Sequence, residues 1–292
     1  MVCYQDSCHS QVAYRILEEM VMQSILLHIG DDEGFEARMQ VALDIARAFE
    51  GHITCLQAVN LEIFAPGDFY GSAMAIALPA MKEKAEELRA KVEADLANEG
   101  VQWDWLIEEG SAVHRLLAHS ALKDLIVVGA HNVGDASSGP SRMVGDLVIR
   151  SRTPVLIVPA DQTNLDCSAP AMVAWNNSSE ACNVVRAALP MLKRASKVYL
   201  TTVTEEAQDD RHDFAPLEGA AYLSRHGVEC EVVEIPSGGS SVSDSLFSAA
   251  QMRECGYMVM GAYGRSRLAE MLLGGVTRQS LKEPQLPVLL AH

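Results

Sequence analysis

Residues 24–59 read SILLHIGDDEGFEARMQVALDIARAFEGHITCLQAV, and residues 170–203 read PAMVAWNNSSEACNVVRAALPMLKRASKVYLTTV. Each is an apolar run, a polar turn, a helix-period segment and a second apolar run. In the second stretch Ala181, Val184, Val185, Ala188 and Leu192 recur at the spacing of a buried helical stripe. The ends of the two units also correspond. LIVVGAH (125–131) matches YMVMGAY (257–263), and TPVLIVP (153–159) matches LPVLLAH (286–292). The chain therefore reads as one unit written twice, over 22–160 and 168–292, with a polar linker near 161–170.

Strands are expected near 24–29, 53–59, 102–108, 124–129 and 154–158, and again near 171–175, 197–203, 228–235, 257–261 and 286–291. They are continuous apolar runs, as in sheets covered on both faces. Their alternation with helical segments predicts an α/β chain of two doubly wound parallel sheets. Ligands of such sheets sit beyond the carboxyl ends of the strands, at the switch point. The first unit carries an insert over 60–100, predicted as an apolar loop covering the sheet's end, then an amphipathic helix over 80–98 with charged positions such as Glu83, Glu87 and Lys91.

The length, 292 residues, suits two domains at about 150 residues each. A net charge of −16 argues against a nucleic-acid or anionic-membrane binder. No apolar run reaches membrane-spanning length, and residues 1–21 carry no secretion signal. Those 21 residues match neither unit and read as an extension, disordered or preceding the true start. The seven cysteines form no CxxC pair and are expected as reduced, mostly core-filling thiols in the cytoplasm. His28, His52, His114 and His131 show no metal spacing, no catalytic triad or Walker lysine is present, and Trp103, Trp105 and Trp175 read as packing residues.

The segment that carries chemistry is GAYGRSRLAEMLLGGVTRQSLKE (261–283). Gly261 ends a strand, Gly264 allows close approach of a ligand, and Gly274 and Gly275 open a helix whose N-terminal N–H groups suit a phosphate. Thr277 adds a hydroxyl, and Arg265, Arg267 and Arg278 add nearby charge. This G-x2-G-x9-G pattern resembles the nucleotide-binding loop of the universal stress protein family. The likeness extends over both units and is strongest with bacterial tandem members, through Val173-Ala174-Trp175-Asn176 and Gly261 to Thr277.

The resemblance implies strand order 3-2-1-4-5 in each unit, helices on both faces, and final strands (154–158 and 287–291) that pair antiparallel between units. It implies ATP or AMP, with or without Mg, held in the second unit by Asn176, Val203, Gly261, Gly264, Gly274, Gly275, Val276 and Thr277. Asn176 stands where the family usually has Asp, and Gly275 where binders usually have Ser. In the first unit Gly30 aligns with Asn176, Gly129 is kept, Asn132 replaces the second glycine, and Ser141-Arg142 replaces the glycine pair, with Asp31 and Asp32 adjacent. No nucleotide site of the family type is expected there, only a weak anion site near Ser137, Ser138 and Ser141. Asn176 also reads as a turn residue before a helix capped by Ser178. The implied function is a stress-response protein that senses nucleotide and switches an unknown protein partner, as a homodimer and without turnover. No general base supports a slow ATPase. The alternative is an interaction or scaffold protein of the same fold that binds no nucleotide.

Overall fold

A computed structural model describes residues 22–59, 70–131, 141–204, 215–262, 276 and 284–292. The first half runs β1 (Ser24–Ile29), α1 (Phe35–Phe49), β2 (His52–Val59), α2 (Tyr70–Leu96), β3 (Gln102–Glu109), α3 (Ala112–His119), β4 (Leu125–Gly129), α4 (Arg142–Arg150) and β5 (Val155–Val158). The second runs β6 (Ala171–Ala174), α5 (Ser179–Arg194), β7 (Val198–Thr204), α6 (Ala215–Arg225), β8 (Cys230–Pro236), α7 (Val242–Met252), β9 (Tyr257–Gly261) and β10 (Val288–Ala291).

The strands form one ten-stranded sheet in the order β3-β2-β1-β4-β5-β10-β9-β6-β7-β8. Each half is parallel in the order 3-2-1-4-5, as the resemblance implied. The halves meet antiparallel at β5 and β10, where Leu156 faces Leu289, Val155 faces Leu290 and Ile157 faces Val288. The two leucines are equivalent by internal register, since Leu156 lies opposite Val127 and Leu289 opposite Val259. The seam is thus self-complementary about a pseudo-twofold through Leu156 and Leu289, the geometry of an isologous dimer made within one chain. Both leucines are fully buried.

Alternate residues of every inner strand feed two cores. One face, with Ile25, Leu27, Val173, Leu156 and Leu289, is covered by α1, α2, α5 and α6. The other, with Leu26, Met172, Val155 and Val288, is covered by α3, α4 and α7. Burial on both faces explains the unbroken apolar runs. The outer strands depart from that expectation. β3 and β8 are largely half-buried or exposed, because each has a strand on one side only and charges such as Asp104, Glu108, Glu231 and Glu234 face solvent.

Two expectations need correction. The insert's helix begins at Tyr70 and runs through Pro79, so residues 70–79 are not loop. The Ala-rich run before the proline, with Met74 and Leu78, favours helix strongly enough that Pro79 removes one hydrogen bond without ending the element. The loop over 60–69 lies outside the described residues. The linker is also more than a polar spacer. Leu165 and Cys167 are buried in the first core, and the Leu165 N–H donates to Asp44 Oδ2 at 2.9 Å.

Candidate functional site

In the second half the strand register brings three of the sequence-selected residues to one edge. Ala174 pairs with Thr201 on one side and with Met260 on the other. Two residues on from Ala174 and Thr201 stand Asn176 and Val203, and Gly261 closes β9 beside them. α5, which follows β6, packs on one face of the sheet and Val276, which follows β9, on the other, so this edge is the topological switch point. The Trp175 N–H extends the ladder by donating to the Thr201 carbonyl at 2.8 Å.

Local hydrogen bonding explains how this edge is built. Asn176 is exposed, and its Oδ1 accepts the Ser178 N–H at 3.1 Å. Asn177 adopts a left-handed φ of 54°. Ser178 then caps α5, its Oγ accepting the Ala181 N–H at 3.1 Å. A Cβ on Gly261 would stand 2.6 Å from the Ala181 nitrogen and 2.7 Å from the Glu180 carbonyl carbon. This glycine is therefore needed for the first turn of α5 to lie against the end of β9.

Val203 and Val276 are half-buried and pack on the second core. Gly264, Gly274, Gly275 and Thr277, with Arg265, Arg267 and Arg278, lie outside the described residues. Burial disfavours the Glu180 carboxylate. Bonds from its own backbone N–H and from Ser178 and Ser179, with the charge of His292, nevertheless hold it below the usual range. Lower on β7, Thr201 Oγ1 and Thr202 Oγ1 are buried without a hydrogen-bond partner among the described residues.

The first half solves the same edge differently. Leu27 faces Val127 there as Val173 faces Val259 in the second half, so Arg38 stands where the second half has Val184, and Asp32 where it has Ser178. Arg38 is completely buried. Its Nη1 and Nη2 each donate to an Asp32 carboxylate oxygen at 2.6 Å. Nε donates to the His28 carbonyl at 2.7 Å and Nη2 to the Gly30 carbonyl at 3.2 Å. A Cβ on either Gly30 or Gly129 would come within 3.1 Å of the guanidinium. The cleft between the ends of β1 and β4 is thus filled by the chain's own cation, neutralised by a bidentate carboxylate.

Beside the pair, burial and the Arg38 charge pull the His28 imidazole down to about 3, and its Nδ1 has no partner among the described residues. Sequence reasoning noted Asp32 but not Arg38. The available signal was an arginine inside the apolar stripe of α1, opposite a valine in the repeat. Ser141 is buried ahead of α4, while Asn132, Ser137 and Ser138 lie outside the described residues.

Of the described cysteines, Cys55 and Cys167 are buried, and burial pushes both thiols up to about 12. Cys182, Cys230 and Cys255 are only half-buried, fewer core thiols than the composition suggested. Trp103 and Trp105 pack on the first core. Among the described residues there is no group of three or more potential metal-binding side chains, and no helix is long and apolar enough to cross a membrane.

No family model and no curated protein matches the sequence. Solved structures do. A universal stress protein from Archaeoglobus fulgidus superposes with a TM-score of 0.72 at 19% identity, over 93% of this chain and 97% of its own. The chain has the universal stress protein fold. Two Pseudomonas aeruginosa structures, one of a candidate universal stress protein and one of a protein of unknown function, superpose with TM-scores of 0.58 and 0.57. Their identities are 15% and 16%, and each superposition covers 94% of both chains. These alignments span both halves, so the tandem arrangement of the universal stress protein fold is shared along with the single unit.

Proposed function

We propose that the second half, residues 168–292, binds an adenine nucleotide, ATP or AMP, beyond the ends of β6, β7 and β9. In this reading the protein is a cytoplasmic nucleotide-dependent switch of stress physiology, with a protein partner and no turnover chemistry. The observation that carries the proposal is the convergence of Asn176, Val203 and Gly261 on the switch-point edge, directly ahead of the glycine-rich segment 261–277. Gly264, Gly274, Gly275, Val276 and Thr277 would hold the phosphates through backbone N–H groups and one hydroxyl. Nucleotide would shift the population of the 262–273 segment and so alter a partner surface. The first half would stay empty, because Arg38 and Asp32 already fill the equivalent cleft.

The purified full chain, denatured and run on nucleotide chromatography, tests this with Gly264→Val as control. About one ATP or AMP per chain, absent from the variant, supports the reading. Two per chain would refute the closed first half. An empty protein that takes up no added nucleotide would refute the site.

A second reading has its own observation. Asn176 Oδ1 is already engaged by Ser178, and the N-terminus of α5 is capped from within by Ser178. On that reading the fold serves protein interaction alone, as a monomer or a homodimer of the whole chain. Partner binding indifferent to ATP, AMP and Gly264→Val would favour it.

A further inference from the structure

The outer face of the second half carries a groove that the nucleotide reading does not use. It runs between α5 and α6 and has a volume of about 370 Å3. That lies within the range of small-molecule sites. Trp175 points into this layer from the end of β6 and is 6% exposed. Its indole packs against α6 at Gly219, where a Cβ would come within 3.1 Å of two ring carbons. Val185 and the Tyr222 ring add apolar wall. The tyrosine is flanked by the Arg186 guanidinium at 5.9 Å and by the His226 ring at 4.5 Å.

Among the described residues, the charges at the rim are two arginines, Arg186 and Arg225, and one carboxylate, Glu218. Arg186 donates to Asn183 Oδ1 at 3.1 Å, and neither arginine makes an ion pair among the described residues. In a chain of net charge −16, a lip with surplus positive charge over an aromatic floor is a local exception. The first half shows the alternative. The groove residues Asn177 and Cys182 are replaced there by Asp31 and Glu36, whose carboxylates reach across to α2, meeting Lys84 at 2.7 Å and Lys91 at 3.4 Å. The same inter-helix groove is strapped by ion pairs in one half and, among the described residues, left unstrapped in the other.

We infer that the α5–α6 groove of the second half is a binding site for a small planar aromatic anion. The aromatic part lies on the Trp175 and Tyr222 walls, and the acid group faces Arg186 and Arg225. The groove borders the switch-point edge, since Trp175 and Asn177 flank Asn176, but it lies on the α5–α6 side and does not depend on the nucleotide reading.

The probe is 8-anilinonaphthalene-1-sulfonate, titrated into the folded full chain and read by its own fluorescence. Saturable binding at one per chain is expected. Ala221→Trp, which fills the groove from its exposed rim, abolishes it with an unchanged far-UV spectrum. Arg186→Gln with Arg225→Gln weakens it about tenfold, and leaves binding of the neutral N-phenyl-1-naphthylamine unchanged. Because both arginines are exposed, that pair keeps the test valid if Ala221→Trp does not fold. Bound probe slows alkylation of Cys182, and Gly264→Val leaves the titration unaltered. Non-saturable binding, or binding indifferent to the arginine pair, overturns the inference. One-for-one displacement of the probe by ATP overturns it as well, because the groove would then belong to the nucleotide site.

Discussion

Arg38→Met should be among the most destabilising single substitutions on the first half of this protein. The methionine keeps most of the stem volume, so the loss is electrostatic. Four hydrogen bonds disappear, two of them charge-assisted and bidentate, and the Asp32 carboxylate, only 10% exposed, is left without its cation. An exposed ion pair would contribute no more than about 1 kcal/mol. A buried pair broken from one side costs about 3–5 kcal/mol. Complete burial of Arg38 puts this case in the second class.

Asp32→Ser should cost a similar amount, because it strands the guanidinium instead. The double variant removes both charges and approximates the second half, where Ser178 and Val184 occupy the equivalent places with Val184 fully buried. Its cost should therefore fall well below the sum of the singles, with a coupling of about 2–3 kcal/mol. Arg38→Lys keeps the charge but loses the planar fork and should fall in between. Urea unfolding of wild type and the four variants, followed by far-UV circular dichroism, measures the cycle and the intermediate case. A cost for Arg38→Met below about 1 kcal/mol, or singles that simply add, would refute the reading of Arg38–Asp32 as a buried plug.

Buried His28 gives a pH signature. The unfolded chain takes up its proton near pH 6.5 and the folded chain only near 3. The unfolded state thus binds more protons between those values, and stability is lost as pH falls through that window. The slope reaches up to about 1.4 kcal/mol per pH unit. His28→Leu should remove this component, and wild-type and variant unfolding curves that stay parallel from pH 7 to 4 would contradict it. Gly261→Val places branched carbon against the Ala181 nitrogen, 2.6 Å from even a Cβ. It should cost about 1–3 kcal/mol, and a thermal midpoint unchanged from wild type would show that α5 does not sit on that strand end.

The architecture was legible in the sequence because it rests on periodicity and repetition. Apolar runs alternating with helical stripes require a parallel sheet covered on both faces, and the repeat requires it twice. The start of α5 was legible too, since Ser178 caps it by a local bond three residues long. The edge strands β3 and β8 and the early start of α2 were misread for the same reason. Exposure depends on what packs alongside, and Pro79 punctuates a helix only if its neighbours do not favour continuing.

What the residues determined alone is the set of groups at the carboxyl edge of each half. Gly261 follows a strand, and Asn176 precedes a capped helix. Tertiary structure alone decided which edge could be open. Arg38 lies 10 residues from His28 and 8 from Gly30 in sequence, and nothing in that spacing says that its guanidinium ends between β1 and β4. That follows from the parallel pairing of strands 100 residues apart, which makes a cleft too dry for a lone charge and leaves Asp32 as its counter-ion. The α5–α6 groove has the same origin, since it lies where two helices meet without, among the described residues, the ion pairs that strap their counterparts.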